Sequence, residues 1–294
     1  MAETPRPAQY VDIGGTMWPT MVTEKTLKAI RDFDVWDDDM WIAVYPKSGT
    51  HWASEICNLI KYSGNSQHGH NPSPMEFFSG NPSQHSPTLV SEYNNVSEWE
   101  SPRVIATHVP VEYLPRKILD EGKGKVLSVI RNPKDTVVSE YYFLKGVKPG
   151  APETFSQCLV ENGTSEHAPY NTWFGHVLGY WGQRHHRQFL VLKYEDMKRD
   201  TRGAVIQIAD FMGRPLSDEA LDKIVDLVQV DSMKTRFKTA GESQEKENKK
   251  GAKNILRKGV VGDWKTHFSV AENEAFDALY RQKMAGSGLE LQFE

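Results

Sequence analysis

A strand that runs straight into a basic, glycine-containing loop and then into a helix constrains this chain more than any other feature. Trp41-Ile-Ala-Val-Tyr45 is continuously apolar, as expected for a strand covered on both faces. Pro46-Lys47-Ser48-Gly49-Thr50 follows, and Thr50–Tyr62 carries an apolar helical period. A helix N-terminus presents unpaired N–H groups and a partial positive charge. Gly49 lets the backbone come close to a ligand. Ser48 and Thr50 add hydroxyl donors, and Lys47 adds a full charge. Together they form a cradle for a phosphate-type anion; an ordinary Ser-capped helix is the plainer alternative. The complete triphosphate loop, G-x-x-x-x-G-K-[ST], is absent, because the glycines it needs ahead of the lysine are missing.

Three more runs rich in Val and Ile read as strands: Val104–Thr107, Lys125–Ile130 and Phe189–Lys193. Helical patterns cover Pro133–Leu144, Tyr170–Arg184, Arg202–Met212, Asp218–Val228 and Glu272–Ala285, with Asn132 as a cap and Pro133 at the first helical position. This alternation predicts an α/β fold with a central, mainly parallel sheet flanked by helices. No linker or internal repeat divides the chain, so residues 1–294 are expected to form a single domain.

In open α/β sheets, ligands bind beyond the carboxyl ends of the strands. Lys47, His108 and Arg131 each stand just after an expected strand. Singly, such a Lys or Arg is a solvated surface charge and such a His a structural one; their shared position argues for a site. The planar fork of Arg131 suits phosphate oxygens, and Ser139, two turns into the next helix, can reach the same group. In "LRKGVVGDWKTHF", Leu256–Phe268, the glycines around Arg257 and Lys258 imply tight backbone geometry near a ligand. Two stretches lack a period: Ser63–Ser101, which holds Phe77 and Phe78, and the charged Lys238–Lys253. Each is long for a loop and reads as functional or mobile.

The net charge of −4 argues against broad nucleic-acid binding, so any basic site must be local. Cys57 and Cys158 are the only cysteines, which excludes a disulfide framework and suits a reducing compartment. "MAETPRPAQYVDIGG" has no apolar signal core, and no run approaches the roughly 18 apolar residues of a membrane span. A cytoplasmic location without a membrane partner is expected, and the sequons at Asn95 and Asn162 read as chance matches.

"YPKSGTHW", "ATHVP" (Ala106–Pro110), "RNPKDTVVSEYYF", "YEDM" (Tyr194–Met197) and "RKGVVGDWK" together resemble the cytosolic sulfotransferase family, in the family's order and from about Tyr10 to Gly286. The resemblance implies transfer of a sulfuryl group from 3′-phosphoadenosine 5′-phosphosulfate to a hydroxyl or amine, without a metal. It places the 5′-phosphosulfate at Lys47, Ser48, Gly49, Thr50, His51 and Trp52. The 3′-phosphate falls to Arg131, Ser139, Arg257, Lys258 and Gly259, with Trp52 and Tyr194 near the adenine. His108 becomes the general base and Lys47 the cation at the leaving oxygen. An imidazole of ordinary pKa near 6.5 predicts activity failing below about pH 6.

The acceptor pocket is expected to be apolar, with Trp18, Phe77, Phe78, Tyr142 and Phe143 as candidates, all of which core packing would also explain. Phenols, steroids and other hydrophobic alcohols fit it. "KTHFSVAENE" resembles the family's dimerisation motif through Lys265, Ser269, Val270 and Glu274, which implies a homodimer. Three departures stand out: His51 replaces the usual threonine, Ala106 a frequent lysine, and Val228-Gln229-Val230 a Thr-Ser-Phe segment. Competing readings are a nucleotide kinase, a nucleotide-binding protein without catalysis, and a dehydratase of the same fold driven by transient sulfation.

Overall fold

The computed structural model describes residues 10–66, 96, 99–147, 151–243 and 256–294, with backbone alone at 147 and 238–243. Its strands are β1 (Tyr10–Ile13), β2 (Thr16–Pro19), β3 (Met40–Ala43), β4 (Val104–Thr107), β5 (Lys125–Ile130) and β6 (Phe189–Lys193). Its α-helices of six residues or more are α1 (Glu24–Arg31), α2 (Thr50–Lys61), α3 (Pro133–Val147), α4 (Thr172–Gly182), α5 (Tyr194–Arg199), α6 (Thr201–Met212), α7 (Asp218–Leu227), α8 (Val230–Ser243) and α9 (Val270–Met284).

The main sheet has the order β4-β3-β5-β6, and every pairing in it is parallel. The expected α/β architecture is therefore the observed one. Strand β3 sends the chain to β4 on one side, and β5 then returns to the other side of β3. That reversal opens a crevice at the carboxyl ends, where β3, β4, β5 and β6 lead to Lys47, His108, Arg131 and Tyr194.

Strand periodicity builds two cores from one sheet. Met40, Ile42 and Val44 face a core completed by α2, α6 and α7 through Ile56, Leu59, Val205, Ile208 and Ile224. Trp41, Ala43 and Tyr45 face the other, completed by α1, α3, α4 and α9 through Ile30, Val137, Trp173, Tyr180 and Phe276. Covering both faces is why these strands read as unbroken apolar runs.

Helix α1 was not expected from the sequence, and three further features depart from the expectations. Residues Tyr10–Pro19 form an antiparallel hairpin, β1–β2, around Gly14 and Gly15, both at positive φ. Helix α5 follows β6 directly. Helix α8 runs to Ser243, so the stretch expected to be aperiodic from Lys238 starts as helix. Phe77, Phe78 and Asn95 lie outside the described residues, as does the rest of the charged stretch up to Lys253 apart from those helical residues. Among the described residues, no helix is long and apolar enough to cross a membrane.

Candidate active site

A cavity of about 550 Å³ opens at the carboxyl ends of the sheet. Its lining joins Lys47, Gly49, Thr50, His51 and Trp52 from the β3–α2 junction to His108 after β4 and Arg131 after β5. Ser139, Tyr194, Arg257, Lys258 and Gly259 line it as well. Ser48 sits beneath the loop, fully buried, its hydroxyl 3.5 Å from that of Thr136.

The loop is bent by its own neighbours. Lys47 has φ 66°, a left-handed conformation that a non-glycine residue adopts at a cost. Arg131 Nη1 donates to its carbonyl at 3.2 Å and Nη2 to that of Val260 at 3.2 Å. The Lys47 ammonium lies 4.0 Å from the Phe143 ring centroid. Burial lowers its pKa to about 8, Glu140 pulls it up, and Arg131 and Arg257 push it down. Gly49, at φ 114°, supports the turn; a Cβ there would come 3.2 Å from the Tyr194 ring.

Distant segments reach this loop through one buried carboxylate. Asn132 caps α3 by accepting from Asp135 N at 2.8 Å. Asp135 in turn accepts from Gly262 N at 2.8 Å and Trp264 N at 3.0 Å, which fixes the Arg257–Trp264 segment beside Arg131. Asp263 then takes Arg257 Nη2 at 2.5 Å and Lys258 Nζ at 2.6 Å. Arg131 stacks on Tyr194 at 4.6 Å, Tyr194 meets Trp52 edge-on at 5.3 Å, and Trp52 Nε1 donates to Val228 O at 3.0 Å.

Two observations test this site against an anionic nucleotide, and both fit. The Nε atoms of Arg131 and Arg257 are buried with no hydrogen-bond partner among the described residues, which is costly unless a ligand repays it. Gly49 and Gly259 both keep positive φ where side chains would crowd the cradle; a Cβ on Gly259 would lie 2.4 Å from Val230.

His108 approaches the same cavity from β4. Its Nδ1 lies 2.6 Å from Val44 O. That carbonyl can only accept, so Nδ1 carries the proton and Nε2 is the basic nitrogen. Burial lowers the His108 pKa to about 4; the Val44 bond opposes this and Lys47 reinforces it. The expected acid limit near pH 6 is thereby corrected, since a desolvated imidazole beside a cation stays neutral well below its ordinary pKa.

Other expected residues lie elsewhere. Trp18 is fully buried, edge-on to Tyr113 and Tyr170 at 5.0 and 5.6 Å, and packs behind the cavity wall. Tyr142 turns toward His267 at 2.9 Å and lies under Arg257, while its neighbour Phe143 lines the cavity. Ala106 is buried in the core with Val44 and Trp52, and Val230 lines the cavity. The chain reading passed over Lys198, which lines the cavity 5.2 Å from the Trp52 ring centroid. Its signal was its place four residues after Tyr194 on α5, one turn away on the same face. Lys265 pairs with Glu294, Ser269 caps α9, and Val270 is 75% exposed.

Comparison with known proteins agrees with this geometry. The sulfotransferase domain profile matches residues 37–288. Human sulfotransferase 2A1 is 35% identical over 285 residues, covering 94% of this chain and 95% of its own. The crystal structure of mouse sulfotransferase SULT7A1 complexed with PAP (3′-phosphoadenosine 5′-phosphate) superimposes with a TM-score of 0.75 at 29% identity, covering 96% of each chain. Retinol dehydratase, in a complex with retinol and PAP, shares the fold with a TM-score of 0.71 at 21% identity, covering 95% of this chain and 90% of its own. The chain belongs to the sulfotransferase family and is an enzyme of sulfuryl transfer.

Proposed function

We propose that this enzyme moves a sulfuryl group from 3′-phosphoadenosine 5′-phosphosulfate to the hydroxyl, or amine, of a small hydrophobic acceptor, with His108 as general base. The observation that carries the reading is that His108, Lys47, Arg131 and Arg257 line one and the same cavity. When bound, the donor supplies the activated sulfuryl group and its nucleotide is the leaving group.

Lys47, the α2 N-terminus and Thr50 hold the phosphosulfate end, with His51 and Trp52 beside it. Ser48 braces the loop from below. Arg131, Ser139, Arg257, Lys258 and Gly259 hold the 3′-phosphate, and Trp52 and Tyr194 flank the adenine. Nε2 of His108 takes the acceptor proton while the Val44 carbonyl holds the ring in the required tautomer. Lys47 stabilises charge building on the departing oxygen, and the low polarity around it strengthens that interaction. Fixing both reactants in line supplies much of the remaining rate.

The apolar end of the cavity, with Phe143, Leu144 and Trp173, suits a phenol, steroid or other hydrophobic alcohol. Residues 1–294 act as one domain, in the cytoplasm, and pair as a homodimer through Lys265, Ser269, Val270 and Glu274. The exposure of Val270 supports that pairing, although ten residues bury little against the roughly 1,200 Å² of a standard interface.

The test is incubation with the sulfated donor and a panel of phenols, steroids and alcohols, with and without a chelator. Sulfated product that survives chelation supports the reading. Magnesium-dependent phosphorylation from ATP, or tight PAP binding with no turnover on any acceptor, overturns it. Dehydrated rather than sulfated product assigns the dehydratase chemistry.

A further inference from the structure

One face of α4, with the turn that enters it, holds several catalytic segments at once. Tyr170 lies edge-on to the His108 ring, with centroids 5.7 Å apart. Trp173 Nε1 donates to the Arg131 carbonyl at 3.1 Å, and the Tyr180 hydroxyl donates to the Val109 carbonyl at 2.8 Å. His176 stands between Trp173 and Tyr180 at helical spacing, so the three side chains share that face. Its Nε2 lies 3.1 Å from the His108 carbonyl. A carbonyl only accepts, so His176 donates from Nε2. The ring is 2% exposed, edge-on to Tyr45 at 5.4 Å and tilted against Tyr180 at 4.9 Å. It stands behind the cavity wall, whose lining includes His108 and Tyr45. The entry turn is strained: Tyr170, Asn171 and Thr172 hold φ of 60°, 68° and 57°, least favourable at the β-branched threonine. Such a turn persists where the surrounding structure over-determines it.

We infer that His176 is a positioning residue for the general base: it grips the main chain of His108 while the Val44 carbonyl grips the ring. The inference rests on the reading of His108 as base and adds the group that aims it. The flanking residues are tied to the fold by other bonds. Val44 N donates to Thr107 O at 3.1 Å, and Val109 N to Thr107 Oγ1 at 3.2 Å. The direction of the imidazole is then set by two points, Nδ1 at Val44 and the carbonyl at His176. Without the second, the peptide after His108 turns and Nε2 swings off the line to the acceptor. A displacement of about 1 Å is enough to cost roughly 10²-fold in rate. Losing the donor also leaves a buried carbonyl unpaired. Burial, with His108 nearby, lowers the His176 pKa to about 3, so this ring stays neutral and serves as a fixed donor.

Three variants separate aiming from space-filling. His176→Gln carries an amide nitrogen at the reach of Nε2, His176→Asn one that stops short, and His176→Phe a ring without a donor. His176→Phe and His176→Asn should lower kcat by about 10–100-fold, with acceptor KM and PAP affinity within about twofold of wild type. His176→Gln should keep most of the rate. Near-normal turnover in His176→Phe, or equal losses in all three variants, overturns the inference. In a His108→Ala background the same substitutions should cost nothing further, because the brace acts through that imidazole; additive losses overturn it. Near-normal turnover in His108→Ala defeats the general-base reading itself, a different outcome from a crippled His108→Ala beside a normal His176→Phe. Imidazole nitrogen NMR of the PAP-bound protein needs no turnover. His108 should hold the Nδ1–H tautomer in the wild type and His176→Gln and mix tautomers in His176→Phe; one tautomer in all three counts against the brace. Should His176→Phe fail to fold, the Gln and Asn variants carry the same decision.

Discussion

The two ends of the same parallel sheet carry similar charges and treat them differently. At the amino ends of β3 and β4, Arg103 meets Asp39 in a bidentate pair, with Nε–Oδ1 at 2.7 Å and Nη2–Oδ2 at 2.5 Å. Both side chains are buried, and the guanidinium stacks 3.7 Å from the Trp36 ring centroid. Charge and hydrogen-bonding capacity are consumed within the fold. At the carboxyl ends, Arg131 spends its donors on two carbonyls, and Lys47 rests on a phenylalanine ring. Arg257 and Lys258 share the one carboxylate of Asp263, so the four cations of this end keep a surplus of positive charge. The closed end fastens strands together, and the open end keeps positive charge for a ligand.

Four variants or conditions probe this contrast, and the largest effect belongs to the open end. His108→Ala removes the base and should lower kcat by about 10²–10⁴-fold, the range of general base catalysis. Single-turnover kinetics with saturating donor checks it, and near-normal turnover would remove the role. At the closed end, Arg103→Met strands Asp39 as a buried charge and should cost about 3–5 kcal/mol of stability. Urea unfolding measures that loss, while PAP affinity of the folded variant stays at the wild-type value. Lys47→Ala should cut kcat by about 10²–10³-fold, as for removal of one donor at a developing anion. A change in stability instead of rate would erase the distinction between the ends.

The smallest expected effect is in the pH profile. His108 is neutral above its lowered pKa of about 4, so kcat/KM holds through pH 6 and falls only as pH approaches 4. Lys47 is charged below about 8, so the alkaline limb falls above that value in the free enzyme. Stability has its own window. His108 and His176, lowered to about 4 and 3 chiefly by burial, stay neutral in the fold while the unfolded chain takes up protons below about 6.5. The folded state therefore loses stability as pH falls from 6.5 toward 4, which chemical denaturation at pH 7 and pH 4.5 measures.

How much was legible in the chain follows from which residues act locally. Strands β4, β5 and β6 were readable to the residue, and β3 to within two, because burial on both faces leaves an unbroken apolar run. Asn132-Pro133 marked the start of α3 because capping is a local property. The β1–β2 hairpin was missed: its strands span four residues each, too few for a clear period, although Gly14-Gly15 was a usable turn signal. The cationic rim was legible because strand ends define it. Acceptor-side aromatics were less so. Trp18 and Phe143 are the same kind of residue in the chain, and only tertiary packing sends one into the core and the other to the cavity wall. The His108 pKa was illegible for the same reason, since desolvation depends on groups brought together by folding.

The open-end account depends on Arg257 and Arg131 gripping a phosphate remote from the reacting group. Calorimetric binding of PAP and of adenosine 5′-phosphate to the wild type and to Arg257→Ala tests this most directly. The 3′-phosphate should contribute about 1.5–3 kcal/mol in the wild type, the worth of a charged hydrogen bond, and most of that difference should vanish in the variant. Equal discrimination between the two nucleotides in both proteins would contradict the account.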